Sequence, residues 1–218
     1  MKKIPRIYLP FKIEKDQLFP ASSDNVHYLL DVMRTNSCIV FNGGDEFIAS
    51  LFLENKKYYF SISEKTLHED PSNDICLYFS PIKRIDELVN IATQLGVKQI
   101  CPVITERTVV KNINFERIKK ISIEASEQSG RNSIPSILNV IDFRDLDKSN
   151  LVYADERKTL SFDKGIKIFS KNLLIGPEGG FSEKEFSILD SSGVLGFSLG
   201  KTILRAEVAT AVAISKLL

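Results

Sequence analysis

Three glycines in five residues, Gly176, Gly179 and Gly180, follow the apolar run Leu173-Leu174-Ile175 and carry the first sign of chemistry in this chain. Without side chains, the backbone there can take angles and close approaches that let it wrap a ligand with its own amides and carbonyls. Pro177 stiffens the turn and Glu178 adds a carboxylate, which is more than a plain strand-to-helix turn requires. Ser182 and Glu185 stand three apart, the spacing of a capping box, so a helix is predicted to begin at Ser182. The second chemical stretch is Ser198-Leu199-Gly200, then Ile203-Leu204-Arg205 and Glu207, set before a nearly all-apolar helix that runs to Leu218.

Two familiar uses of glycine fail on spacing. A phosphate-cradling Walker loop places four residues between its first glycine and Gly-Lys-Thr, whereas Gly196 and Gly200-Lys201-Thr202 are separated by three. Neither loop contains the G-x-G-x-x-G of a dinucleotide site, so neither ATP nor NAD is indicated. Cys38, Cys76 and Cys101 are odd in number and far apart, and His27 and His68 have no ligand-type neighbour at useful spacing. No disulfide framework and no metal is expected.

Taken in order, the two stretches read GPEGGFSxxE and SLGxxILRxE, and so resemble the RsmE family, the 16S ribosomal RNA uridine N3-methyltransferases of the SPOUT superfamily. The resemblance implies S-adenosylmethionine as methyl donor, held in a trefoil knot by three loops that leave adjacent strands. A knot is a feature that nothing in the residue pattern itself announces. The strand ends at Tyr153-Ala154, Ile175-Gly176 and Leu199-Gly200 would supply the loops, at the carboxyl edge where α/β sheets bind ligands. Carried over by position, the donor residues are Gly176, Glu178, Gly179, Leu199, Gly200, Ile203, Leu204 and Arg205.

Uridine N3 carries a proton that must leave before or as the methyl arrives, so such a site needs a general base or a cation facing the imide oxygens. Arg205 is expected to supply the charge. Glu207 either takes the proton, directly or through water, or orients Arg205; the helix N-terminus favours its ionised form and lowers its basicity. The family's Thr after this glutamate is Val208 here, and its Glu before the Leu-Gly pair is Gln94.

The elements that must position these residues follow from the pattern upstream. The polar stretch His68-Glu69-Asp70-Pro71-Ser72-Asn73-Asp74 separates two rhythms and is read as a domain boundary, giving domains 1–70 and 74–218. Beyond it come an extended Ile75–Phe79, a helical spacing of Ile85, Leu88, Val89, Ala92 and Leu95 stopped by Gly96, and an extended Gln99–Ile104: the βαβ alternation of a parallel sheet. Residues Phe115–Gly130 read as a helix burying Ile118, Ile121 and Ala125. Glu124, Glu127, Gln128 and Arg131 share its other face, where a solvated surface is the plain alternative to a functional one. Ile137–Phe143 is expected to be extended.

Before the boundary the pattern is mostly β. Arg6–Leu9 is a candidate strand, Cys38–Phe41 and Phe47–Leu53 flank Asn42-Gly43-Gly44 as a hairpin, Lys57–Ile62 continues it, and Asn25–Arg34 is a short helix. In the resembled family this part is a PUA-like RNA-binding barrel, with His27, Val32 and Arg34 matching its H-x-x-x-x-V-x-R element. His27 is expected to be a satisfied histidine against the barrel. The family's Gly-Asp after that arginine is replaced by Thr35-Asn36. Resemblance at Thr105-Glu106-Arg107-Thr108 and at the E-A-x-E-Q-x-x-R-x-x-x-P pattern of Glu124 to Pro135 implies further functional positions. Arg6, Arg34, Arg107 and Arg131 are the candidate RNA contacts.

A chain of 218 residues, 43% hydrophobic, can bury a core for one large domain or a large and a small one. No apolar run approaches a membrane span, and Met1-Lys2-Lys3-Ile4-Pro5-Arg6 is too broken for a signal peptide, so a cytoplasmic location without membrane is expected. The formal net charge of +1 excludes a strongly basic nucleic-acid coat but not a local basic face. The sequence expectation is therefore an α/β protein, a SPOUT trefoil-knot domain with a parallel sheet preceded by a small PUA-like β-barrel. It is expected to methylate N3 of a uridine in 16S ribosomal RNA of the small subunit as a homodimer. Two alternatives remain at this level: a non-catalytic RNA-binding or ribosome-assembly factor of the same fold, and a SPOUT methyltransferase acting on another nucleoside or on transfer RNA.

Overall fold

The computed structural model describes residues 4–158 and 171–218. The chain divides into two compact units, Met1–Pro71 together with Ile123–Ile134, and Ser72–Ser122 together with Pro135–Leu218.

In the first unit the strands are β1 (Arg6–Tyr8), β2 (Leu18–Pro20), β3 (Ser37–Asn42), β4 (Asp45–Glu54) and β5 (Lys57–Lys65), in the order β1-β3-β4-β5-β2. β1 runs parallel to β3 and the other pairs are antiparallel. The β3–β4 turn uses Gly43 and Gly44 at φ +60° and +93°, angles that only glycine takes without strain. Alternating residues of β3, β4 and β5, among them Val40, Ala49, Leu51, Phe60 and Ile62, bury one face together with Ile7 and Leu29. The helix expected at Asn25–Arg34 starts earlier and changes pitch. Ser22 caps α1 (Ser23–His27) by accepting from Asn25 N, and the chain continues as a π-helical turn over Tyr28–Val32. His27 lies exposed and bonds Asp31 at 2.7 Å rather than facing the sheet core.

A polar cluster ties the segment Ile123–Ile134 into this unit. The Arg6 guanidinium pairs with Glu46 at 2.5 Å, donates to the Arg131 carbonyl at 2.9 Å and lies over the Phe41 ring. Arg131 itself is 1% exposed and donates to Ser133 Oγ. Both arginines, expected at RNA phosphates, are spent on protein partners, because a guanidinium enclosed in this way cannot present its fork to solvent. Their role in this structure is to hold the unit together.

Glu127 accepts from the Tyr8 backbone N–H at 2.9 Å. Burial raises its pKa to about 6, Glu124 adds to the rise, and the Tyr8 N–H and Arg6 oppose it. A carboxyl whose folded pKa exceeds its unfolded value contributes stability that is complete below the unfolded value and is lost as the pH rises through about 6. Glu127→Gln, which keeps an acceptor for Tyr8 N–H, is thus expected to melt higher than the parent at pH 8 by on the order of 1 kcal/mol, allowing for solvent screening. The gap should close as the pH falls to 5; thermal melts across that range check it.

In the second unit the elements are β6 (Cys76–Phe79), α2 (Ile85–Gln94), β7 (Gln99–Ile104), α3 (Phe115–Ser129, whose second half belongs to the first unit), β8 (Ser136–Ile137), β9 (Ile141–Asp142), β10 (Leu151–Ala154), β11 (Asn172–Ile175), α4 (Glu183–Ser191), β12 (Leu195–Phe197) and α5 (Ala206–Leu217). The sheet order is β12-β10-β11-β6-β7-β8, with β9 pairing β7, and every pair is parallel. The extended run expected over Ile137–Phe143 breaks into β8 and β9, then a 3₁₀ turn at Phe143–Asp145 that Asp142 caps through Arg144 N.

Both faces of this sheet are buried, which is why its strands read as continuous apolar runs. Val152, Leu173, Ile175 and Phe197 point to one side, against α2 and α5. Leu151, Tyr153 and Leu174 point to the other, against Phe143, Phe181, Phe186 and Leu189. α5 is buried at Ala206, Ala209, Ala213, Ile214 and Leu217. The cysteines are free and buried; burial pushes the Cys38 thiol up to about 12. Among the described residues no helix is long and apolar enough to cross a membrane. The expected knot turns on the path between β10 and β11, and residues 159–170 lie outside the described residues.

Candidate functional site

Three loops leave neighbouring carboxyl ends of the parallel sheet. β10 lies between β11 and β12, with Tyr153 level with Leu174 on one side and with Gly196 on the other. Strand spacing then puts the ends of β11 and β12 roughly 10 Å apart. The loops also touch. Asp155 N donates to the Phe197 carbonyl at 2.9 Å, which joins the first loop to the third. A side chain added at Gly180 would begin 2.9 Å from Glu156 Oε1, which brings the second loop against the first.

The glycine loop has the shape that its sequence implies. Gly180 N donates to the Pro177 carbonyl, closing a turn with Gly180 at φ +69°. Ser182 then caps α4 with a full capping box, as its spacing predicts. Gly176 is glycine for a different reason: a Cβ there would lie 2.9 Å from the buried Phe181 ring. Gly196 is glycine because Tyr153 Cζ and Asp155 Oδ2 would meet its Cβ at 2.8 and 2.9 Å.

In the third loop Ser198 Oγ donates to the Gly200 carbonyl and accepts from Gly200 N. Gly200 sits at φ +146° with open space where a side chain would be, and Ser198 holds its main chain in that conformation. Glu178, Gly179 and Gly200 are exposed, Leu199 and Leu204 half-buried, and Ile203 is 91% exposed. The sequence-derived donor residues are thus brought onto two loops flanking β10.

Arg205 precedes α5 and its side chain is 69% exposed, making no cap bond. Glu207, in the first turn, is 7% exposed and its Oε1 lies 3.7 Å from Arg205 Nη1, an ion pair longer than a hydrogen bond. Val208 is exposed on the same turn, and Gln94 lies on the α2 surface, bonded to Asn90 of its own helix.

Of the four arginines read as RNA contacts, Arg34 is exposed at φ +53° just past the π turn. Arg107 is exposed and donates through Nη1 to the Gly179 carbonyl at 2.9 Å. Arg6 and Arg131 are enclosed in the first unit.

Two clusters join residues whose mutual contacts the residue pattern does not show. At the end of β10, Arg157 bonds Asp155, Asp190 and the Tyr153 hydroxyl and stacks 3.6 Å from the Phe186 ring centroid. Burial alone would raise Asp155, but the bonds from Arg157 and Tyr153 hold it below the usual carboxylate range. Burial and the neighbouring Asp155 push the Tyr153 hydroxyl up, so it stays a donor. The second cluster is a triangle of buried hydroxyls, Ser80, Thr105 and Thr108, at the ends of β6 and β7. Their residues are 25 or more apart except for the one close pair, so only the fold shows them together. No group of His, Cys, Asp and Glu fit to hold a metal occurs among the described residues.

Comparison with known proteins identifies relatives of this chain along nearly its whole length. An RNA methyltransferase domain family matches residues 68–218. A protein named ribosomal RNA small subunit methyltransferase E from Rickettsia conorii is 34% identical, the match covering 98% of this chain and 95% of that protein. Its namesake from Bacillus subtilis is 29% identical over 94% of this chain and 91% of that one. Among solved structures, a ribosomal RNA small subunit methyltransferase E from Neisseria gonorrhoeae, bound to S-adenosyl methionine, superposes with a TM-score of 0.85 at 29% identity, covering 98% of this chain and 96% of that one. A Legionella pneumophila protein in complex with the same cofactor gives 0.82 at 28% identity, covering 99% and 97%.

Proposed function

Because the chain belongs to the RsmE family of SPOUT RNA methyltransferases, we propose that it transfers a methyl group from S-adenosylmethionine to N3 of a uridine in 16S ribosomal RNA. The observation that carries this reading is the convergence of the three loops beside β10, with Gly200 exposed at φ +146° and an exposed arginine at the end of the third.

The chain's residues fit the donor. Main-chain groups of Gly176, Gly179, Leu199 and Gly200 would hold its adenosine part, with Ile203 and Leu204 as apolar walls. The bound donor supplies a methyl group already activated on a sulfonium. What remains for the protein is placement and charge. Arg205 faces the O2 and O4 edge of the uridine and stabilises the imide anion as the N3 proton passes to water; N3 then takes the methyl, which leaves the donor a neutral thioether. Glu207, buried and ion-paired, keeps Arg205 aimed at that edge.

In this division of labour residues 74–218 hold the donor and residues 1–70 grip RNA. Arg34 is the free guanidinium for that grip, so Arg34→Ala should weaken RNA binding and reduce the slope of log affinity against log salt by about one unit. A filter-binding series over salt checks this.

The protein acts as a homodimer, in which a second copy covers the apolar Ile203, Val208 and Leu218. A monomer with full activity by sedimentation at micromolar concentration would refute that assembly.

The test of the function is to incubate 16S RNA and small subunits with donor and protein, digest to nucleosides and read the products by mass spectrometry. N3-methyluridine supports the reading. Methylation of another nucleoside replaces the substrate, and none in either RNA form points to a non-catalytic RNA-binding protein.

A further inference from the structure

The loop Thr105–Thr108 after β7 touches the glycine loop and its flank at two points and reaches a third through Ser80. Before the turn, Ser80 N donates to the Ile175 carbonyl at 2.9 Å, and Ser80 Oγ lies 2.6 Å from Thr108 Oγ1 and 3.1 Å from Thr105 Oγ1. In the middle, Arg107 Nη1 donates to the Gly179 carbonyl at 2.9 Å. Past the turn, Glu106 N donates to Glu185 Oε1 and Ser182 N to Glu185 Oε2, both at 2.8 Å. Ser80, Thr105 and Thr108 are buried, and so is Glu185 at 5% exposure.

Glu185 does more than cap a helix. A capping box needs one acceptor on the N3 side chain, and glutamine serves there as well as glutamate. Here the second oxygen is used on a different loop, 79 residues away in sequence. Only a carboxylate accepts from two opposed amides at once; a glutamine would turn an NH₂ group toward one of them.

We propose that Glu185 and the Thr105–Thr108 loop form a positioning frame for the donor loop, with Glu185 as its bracket and Arg107 as its middle tie. The proposal rests on the donor-site reading above. The frame fixes the carbonyls and amides of residues 176–182 before any ligand arrives, and misplacing such groups by 1 Å costs about 100-fold in rate.

Glu185→Gln separates the two roles, since it keeps the capping box and breaks the bracket. Ser182→Ala does the reverse: it removes the helix cap and leaves both amide bonds to Glu185. Hydrogen exchange on the free proteins and calorimetric titration with S-adenosylmethionine read the outcome. In Glu185→Gln, peptides spanning 176–182 should exchange about tenfold faster while the body of α4 is unchanged, and donor affinity should fall about tenfold. Ser182→Ala should melt earlier yet bind donor within about twofold of the parent. Arg107→Ala should weaken donor binding, and by less in the Glu185→Gln background than alone, because both ties hold one loop.

Unchanged exchange in Glu185→Gln, or donor affinity that falls as far in Ser182→Ala as in Glu185→Gln, overturns the frame. A parent protein that binds no donor while its exchange follows the expected pattern overturns the donor-site reading instead.

Discussion

Arg205→Ala is expected to lower kcat by about 10²–10³-fold, the cost of removing a charge aimed at a developing anion. The protein should remain folded. The Arg205 side chain is 69% exposed, makes no helix-cap bond and has only a 3.7 Å approach to Glu207. The exposed side chain contributes little packing, so the stability cost is mainly the loss of the long 3.7 Å pair with the buried Glu207 carboxylate. Donor binding should be largely kept, since the backbone of the loops does most of the holding, so the loss should appear in kcat rather than in the donor KM. Arg205→Lys separates charge from geometry: it keeps the positive charge but not the planar fork, and partial recovery is the expected result. Wild-type turnover in Arg205→Ala, measured with the same RNA, would remove this residue from the mechanism.

Gly176→Ala carries the second large effect, through packing rather than charge. The new methyl would stand 2.9 Å from Phe181 Cε2 and 3.1 Å from its Cζ. The ring has no room to retreat. It is 2% exposed, and its centroid lies 5.6 Å from that of Phe186, 6.0 Å from Tyr153 and 6.2 Å from Phe143. Overpacking of this kind costs about 1–3 kcal/mol, and the softer partner that yields is the glycine loop itself. The variant should melt about 2–4 °C lower for each kcal/mol lost and drop about 10–100-fold in kcat/KM, through displaced carbonyls rather than unfolding. Phe181→Leu in the same chain makes room for the methyl and should restore part of the activity. Parental kinetics in Gly176→Ala would mean that the loop's position does not matter to the site.

How legible these features were in the residues depends on the range of the interaction behind each. The strand, turn and capped helix over Leu173–Ser191 could be read directly, because alternation and a Ser-x-x-Glu box act between residues a few positions apart. Gly176 and Gly180 were legible as glycines that matter. Their separate causes, a Phe181 ring and a left-handed φ, needed coordinates.

Arginines were the least legible. Nothing in their spacing distinguishes Arg34, which is exposed, from Arg6 and Arg131, whose partners Glu46 and Ser133 only the fold brings within reach. Glu127 and Arg131 sit at helical spacing on what reads as a polar face of α3, yet that face continues into the first unit's polar cluster. β2 went unread because three residues ending in proline carry too little pattern, and it forms only as an edge strand against β5. The second oxygen of Glu185 was invisible for the same reason as the hydroxyl triangle. A local motif accounted for the residue, and its distant partner left no mark in the sequence.

Calorimetric titration of the unmodified protein with S-adenosylmethionine tests the central claim most directly, because the three loops beside β10 are held to form a donor site before RNA is present. A saturable isotherm with one donor per chain and a dissociation constant within about 1 μM–1 mM is expected. A flat titration of folded protein through that range would contradict it.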